Sequence, residues 1–136
     1  MVVRVARGPV SHAMADTTQL PTTTLRRHEL FCDIQGVLQA RLGDPLTIDD
    51  VAAEVYASRR QVQRVMAEHG TSFREELTRL RVQRAAQLLR GHRAPVSAIA
   101  EQVGYRQASQ FAKTFRRYMG ASPSELRAMP EPGMAA

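Results

Sequence analysis

The stretch SRRQVQRVM, Ser58 to Met66, carries the densest chemistry of the chain. Its apolar residues Val62, Val65 and Met66 recur at i, i+3 and i+4, one stripe of a helix. Arg59, Arg60, Gln63 and Arg64 fall on the other face. A guanidinium is a rigid planar fork of donors, and a glutamine amide donates and accepts side by side. Such groups suit paired acceptors: Arg can fork onto guanine O6 and N7, and Gln can pair with adenine N6 and N7. A helix that fastens one narrow stripe into a core and offers these groups outward fits recognition rather than bond making.

Catalysis and metal chemistry find little support. His28 with Glu29 imitates an acid/base pair, but no nucleophile or oxyanion donors accompany them. His12, His28, His69 and His92 lie in different segments, and a metal site would need several to converge. No metal, cofactor or small-molecule ligand is expected. The single cysteine, Cys32, excludes an internal disulfide and any zinc site built mainly on thiolates. It is expected as a small buried hydrophobe. No apolar run approaches the ~18 residues of a membrane span, and the N-terminus lacks the apolar core of a signal peptide. No membrane partner is expected, and the cytoplasm, at the nucleoid, is the default location.

The net charge of +6 is unevenly spread. Residues 1–27 carry +3, residues 28–57 carry −5, residues 58–93 carry +6 and residues 94–127 carry +3. Past the N-terminal tail, the positive charge therefore begins where SRRQVQR begins. A polyanionic partner follows, nucleic acid ahead of membrane.

Helix formers dominate, and no useful length alternates with period two, so the fold class is all-α. Residues 1–27 read as a tail interrupted by Pro9, Pro21 and a Thr-rich run, with a first helix from about Arg26 to Leu42 on the stripe Leu30, Ile34, Val37, Leu38 and Leu42. Thr47 caps a helix with Ile48, Val51, Ala52 and Val55 inward. Ser58 with Gln61 forms a capping box on a helix ending near His69, before Gly70. Ser72 with Glu75 forms another, opening a long helix to about Arg90 with more than one apolar face. Shorter helices are predicted near 96–103, 107–118 and 123–128, the last with Ser122, Pro123 and Glu125 as cap, first-turn proline and box. Residues 128–136 read as a second tail.

An internal repeat organises these elements. IDDVAAEV at 48–55 aligns with VSAIAEQV at 96–103, and RQVQRVM at 60–66 aligns with SQFAKTF at 109–115. Val62 then matches Phe111, Met66 matches Phe115, and Arg64 matches Lys113. Each unit is a short helix, a tight turn and a second helix with a polar outer face. That is the helix-turn-helix arrangement, whose second helix enters the DNA major groove.

LTIDDVAAEVYASRRQVQRVM, the linker TSFREELTRLRVQRAAQLLR, and VSAIAEQVGYRQASQFAKTFRRYMGASPSELR together resemble the DNA-binding domain of AraC/XylS-type transcriptional regulators over roughly residues 28–127. The ordered set Ile99, Ala100, Val103, Gly104, Tyr105, Phe111, Phe115, Gly120, Ser122 and Pro123 carries most of the resemblance. It implies a seven-helix domain: one helix-turn-helix at about 47–69, a linker helix at about 72–90 and a second helix-turn-helix at about 96–118. It implies double-stranded DNA as partner, two successive major grooves read by one chain, activation of transcription, and RNA polymerase as a further partner. By position, the family's base-reading places fall on Arg60, Gln63 and Arg64 in the first recognition helix, and on Ser109, Gln110 and Lys113 in the second. Arg59, Arg106, Gln107, Arg116 and Arg117 are the candidates for phosphate contacts, which position without specifying.

Three positions depart from the family. Tyr56 stands where the first turn usually has Gly. A Tyr at positive φ would cost roughly 1 kcal/mol, so that turn is expected to be built differently. Pro95 replaces a usual Ser/Thr cap. Ala112 matches Gln63 in the repeat, so the second head carries fewer long polar groups and the first is expected to supply more specificity. Most family members also carry a larger effector or dimerisation domain; at most 27 residues precede this region, so the chain resembles the short stand-alone members or is a fragment. The alternative function is a helical adaptor or anti-activator that keeps the fold without sequence-specific binding.

Overall fold

The computed structural model describes residues 22–129, which form seven helices and no strand. They are α1 (Thr22–Ala40), α2 (Ile48–Glu54), α3 (Arg59–Glu68), α4 (Phe73–Gly91), α5 (Val96–Gln102), α6 (Ala108–Met119) and α7 (Pro123–Ala128). The all-α reading and the order of elements hold. Of the tails expected at 1–27 and 128–136, residues 1–21 and 130–136 lie outside the described residues, and Ala128 closes α7 instead of starting a tail.

Local chemistry starts most of these helices. The hydroxyls of Thr47, Ser58 and Ser122 each accept from the N–H three residues on, and Asp50, Gln61 and Glu125 accept from the cap N–H in return. The box expected at Ser72 forms only by half: Ser72 accepts from Glu75 N–H, but Glu75 Oε1 meets the Ser72 hydroxyl at 3.5 Å instead of its N–H. Ser72 is the most extended of these caps, with φ −136° against −83° at Ser58.

Two apolar cores share α4. The first gathers Ile34 and Leu38 of α1, Val51 of α2, Val62, Val65 and Met66 of α3, and Leu77 and Leu80 of α4. The second gathers Val82, Ala85, Ala86, Leu88 and Leu89 of α4 with Ile99, Val103, Phe111, Phe115 and Leu126. The switch falls between Leu80 and Val82, and Leu42 packs against both cores. The several apolar faces read from the linker sequence thus serve two bodies. Buried Glu76 sits in the first, held by Gln35 Nε2 at 3.0 Å and by the Arg79 guanidinium. Burial alone would raise its pKa; the hydrogen bonds from Arg79 and Gln35 outweigh that and hold it below the usual glutamate value.

Two expectations need correction. α1 opens at Thr22 rather than near Arg26, so residues 22–27 are helix and not tail. Once a packed stripe fixes a helix, each added residue gains a hydrogen bond without a new nucleus, and an Arg27–Glu68 ion pair at 3.1 Å ties this turn to α3. Cys32 is exposed, because two steps of 100° from Ile34 point it away from the buried stripe. Of the histidines, His69 stacks on Phe31 at 3.8 Å, and His28 lies 6.0 Å from His69. Among the described residues no group of three or more His, Cys, Asp or Glu is placed to hold a metal ion.

Candidate nucleic-acid interface

Both proposed recognition helices sit on their cores by the same stripe. Val62 and Met66 of α3 are fully buried, as are Phe111 and Phe115 of α6. Tyr105 leans on Phe111 with ring centroids 5.4 Å apart, and Phe111 on Phe115 at 5.5 Å, so α6 is seated by edge-tilted aromatics. The opposite faces carry Arg60, Gln63 and Arg64 on α3 and Ser109, Gln110 and Lys113 on α6, all exposed. None of these six side chains makes a hydrogen bond or ion pair with a described residue.

The two turns are built alike despite their different residues. Tyr105 N–H bonds to Ala100 O at 2.9 Å and Gly104 N–H to Glu101 O; Ala57 N–H bonds to Ala52 O at 2.9 Å and Tyr56 N–H to Ala53 O. Gly104 takes φ +100°, and Tyr56 takes φ +57°. The expectation of a differently built first turn is therefore wrong. Tyr56 accepts the left-handed conformation with its side chain 80% exposed, where no core group opposes it.

The five candidates for phosphate contact differ. Arg106 and Gln107 are exposed at the start of α6, and Gln107 caps nothing through its side chain. Arg117 lies over the Tyr118 ring at 5.7 Å. Arg116 stands 3.5 Å from Glu125, both well exposed. Arg59 is committed: its Nε and Nη2 fork onto Asp49 Oδ1 and Oδ2 at 3.0 and 2.8 Å. That hydrogen bonding lowers the Asp49 pKa and raises that of Arg59. A phosphate at Arg59 would have to replace Asp49.

Several residues that organise the site escaped the sequence reading. Arg81 Nε donates to Leu42 O at 2.7 Å and Nη2 to Asp44 O at 2.9 Å. Its guanidinium carbon lies 5.8 Å from the Tyr105 ring centroid. Arg127 donates to Leu89 O and His92 O and closes the end of α4. Arg41 pairs with Glu54 at 2.6 Å and Asp44 at 3.1 Å. Arginines count as surface charge in a periodicity analysis; only the two-faced pattern around position 81 hinted at more. A cleft of about 820 Å³ opens between the halves, lined by Ile48, Phe73 and Arg74 on one side and Gln110, Thr114 and Arg117 on the other.

Two helix-turn-helix units on one shared helix, each with an uncommitted polar face, define a class: a double helix-turn-helix DNA-binding domain. The family of the helix-turn-helix domain matches residues 51–129. An uncharacterised HTH-type transcriptional regulator of Mycobacterium tuberculosis is 39% identical over 103 residues, covering 76% of this chain and 28% of that protein. The solved AraC-type regulator from Chromobacterium violaceum superposes with a TM-score of 0.72 at 29% identity, over 76% of this chain and 96% of that one. The DNA-binding domain of AdpA, solved with a target DNA, gives 0.65 at 28% identity, over 71% and 88%. This chain belongs to the AraC-type helix-turn-helix family. The family's proteins are DNA-binding transcription regulators rather than enzymes. The chain spans no more than 40% of the length of the curated relatives it matches. Among the described residues no helix is long and apolar enough to cross a membrane.

Proposed function

We propose that this chain binds double-stranded DNA sequence-specifically and activates transcription through RNA polymerase, in the cytoplasm at the nucleoid. α3 and α6 enter successive major grooves, so one copy reads an asymmetric site of roughly 20 bp with heads about 10–10.5 bp apart. Base edges fall to Arg60, Gln63 and Arg64 on one head and to Ser109, Gln110 and Lys113 on the other. The DNA backbone falls to Arg106, Gln107, Arg116 and Arg117, with Arg59 after release from Asp49. One observation carries this reading: both helices bury one stripe completely and leave six outward side chains, Arg60, Gln63, Arg64, Ser109, Gln110 and Lys113, with no hydrogen bond or ion pair to a described residue. A relative in Escherichia coli, RclR, is an RCS-specific transcriptional activator, which supports the direction of regulation.

Selection of bound duplexes from a random pool, followed by footprinting, tests the reading. The expected result is an asymmetric motif with two protected major-groove segments. Protection confined to one half-turn, or a strict need for a palindrome, would count against one copy reading two grooves. Random duplex that competes as well as the selected one would favour the adaptor function instead. Transcription from a selected promoter with purified RNA polymerase, with and without the protein, tests activation.

A further inference from the structure

We propose that Arg81 is the positioning residue that fixes the rotational register between the two recognition helices; this rests on the two-headed reading above. A helix shared by two cores resists bending, but the helix alone does not stop one core from rolling about its axis. A contact away from that axis does. Arg81 stands where α4 passes from the first core to the second, between Leu80 and Val82. Its fork holds two carbonyls, Leu42 O at 2.7 Å and Asp44 O at 2.9 Å, in the loop that leads into α2. The same guanidinium lies against the turn between α5 and α6. It covers the Tyr105 ring, and it fills the space over Gly104, where an added Cβ would meet its carbon at 2.9 Å. One rigid group therefore touches the entry to the first helix-turn-helix and the turn of the second.

The surroundings make this contact close. Gly43, in the loop that Arg81 holds, faces the C-terminal end of α5 so tightly that a Cβ there would stand 2.5 Å from Gln102 O. Backbone thus meets backbone across the two halves, and Leu42 packs on both cores beside it. Only a planar multi-donor group can serve two carbonyls and still place its cation over a ring. A lysine supplies one point charge, and a methionine supplies length without donors.

The consequence is in DNA spacing. Rigidly linked heads bind at one separation, whereas loosely linked heads accept several and lose effective concentration at each. The experiment measures binding to duplexes whose two half-sites are moved apart or together by one and two base pairs, and to a duplex with the first half-site alone. Wild type is expected to lose at least ~10-fold on a one-base-pair shift, which rotates one groove against the other by about a tenth of a turn. Arg81→Met and Arg81→Lys are expected to bind the preferred spacing about 10-fold more weakly and to differ by less than ~3-fold across spacings. Binding to the single half-site, helicity and the salt dependence should stay at wild-type values. Gly43→Ala keeps Arg81 and wedges the same contact, and should shift or flatten the spacing preference in the same way.

Retention of the wild-type spacing preference in both Arg81 variants would overturn the proposal. A shallower salt dependence in Arg81→Met would also overturn it, since Arg81 would then be a phosphate contact. A wild-type protein that needs both half-sites but is indifferent to their spacing would overturn this proposal alone; one that binds the single half-site as tightly as the full site would bring down the two-headed reading itself, and this proposal with it. Should Arg81→Met fail to fold, Arg81→Lys and Gly43→Ala carry the same decision.

Discussion

The two halves of this molecule reach the same turn and the same buried stripe by different local means. The first half relies on side-chain caps: Thr47 and Ser58 both form complete boxes. It tolerates Tyr56 at φ +57°, and its recognition helix is seated by Val62, Val65 and Met66. In the second half Pro95 and Gln107 make no side-chain cap, yet the backbone is relaxed at Gly104 and Gly120. There Phe111, Phe115 and Tyr105 hold α6 as an aromatic wedge. The difference teaches that a helix-turn-helix geometry is fixed by burial, while caps, glycines and aromatics substitute for one another in stabilising it. It also separates the heads by chemistry. The first offers two guanidiniums and an amide; the second offers a hydroxyl, an amide and an ammonium.

The largest effect should appear where the second half depends on its wedge. Phe111→Ala removes a fully buried ring that touches Tyr105 and Phe115. It should cost about 3–5 kcal/mol of stability. Val62→Ala, its partner in the repeat, removes less volume and should cost clearly less. Urea unfolding followed by helicity measures both. Equal costs would mean that the halves are anchored alike and that the aromatic contrast carries no energy.

The next effect concerns reading. Arg64→Ala should cost roughly 1–3 kcal/mol on the selected site and relax preference at one base, because a guanidinium can fork onto guanine. Lys113→Ala, at the matching place, should cost less than Arg64→Ala and relax preference less, since an ammonium is a point charge without a planar fork. Binding to specific and random duplexes checks this. If Arg64→Ala loses the same factor on both, Arg64 is a phosphate clamp and base reading moves to Arg60 and Gln63.

Legibility in the sequence follows the same division. The stripes Val62, Val65, Met66 and Phe111, Phe115 were readable because burial imposes a period, and the boxes at Ser58 and Ser122 because a fixed i to i+3 spacing writes them. The six outward residues were readable as the complement of those stripes, with family position assigning their roles. Cys32 was misread because cysteine was weighed by residue type as a small hydrophobe, although its helical angle, two residues before Ile34, faces outward. Arg81 and Arg127 were missed because they bond to backbone carbonyls 35 to 39 residues away, and a carbonyl leaves no trace in residue type. The Arg59–Asp49 fork joins residues ten apart on two helices, and nothing in either helix alone shows it.

A smaller effect tests the contrast between the turns. Tyr56 and Gly104 occupy one place in the repeat, and only glycine takes positive φ without cost. Tyr56→Gly should stabilise the protein by up to about 1 kcal/mol, the relief of left-handed strain less the greater chain entropy of glycine. Gly104→Ala should destabilise, because its Cβ would also press on the Arg81 guanidinium at 2.9 Å. Thermal unfolding of the two variants should shift in opposite directions. A shift in the same direction would show that the first turn stores no strain.

The smallest effect lies in how each half manages its charge. In the first half Asp49 already occupies Arg59, so a phosphate there must displace a carboxylate. The repeat places Ser97 and Ala108 at the corresponding positions, so the second half has no such pair. Asp49→Asn should release the Arg59 fork while keeping the side chain's shape. Each added phosphate contact on duplex DNA steepens the log–log salt slope by about 0.9. Asp49→Asn should therefore bind random DNA more tightly at low salt and steepen the slope by about that amount, with sequence preference unchanged. Removing any acid near DNA also weakens long-range repulsion, so a control is needed in the other half. Glu101→Gln removes the same charge from α5, where no arginine among the described residues forks onto the carboxylate, and should strengthen binding slightly without one unit of added slope. Arg59→Ala should leave the wild-type slope nearly unchanged but abolish the gain in the Asp49→Asn background. If Asp49→Asn and Glu101→Gln steepen the slope equally, the Arg59–Asp49 fork is not a gate on phosphate contact, and the two halves differ only in their reading faces.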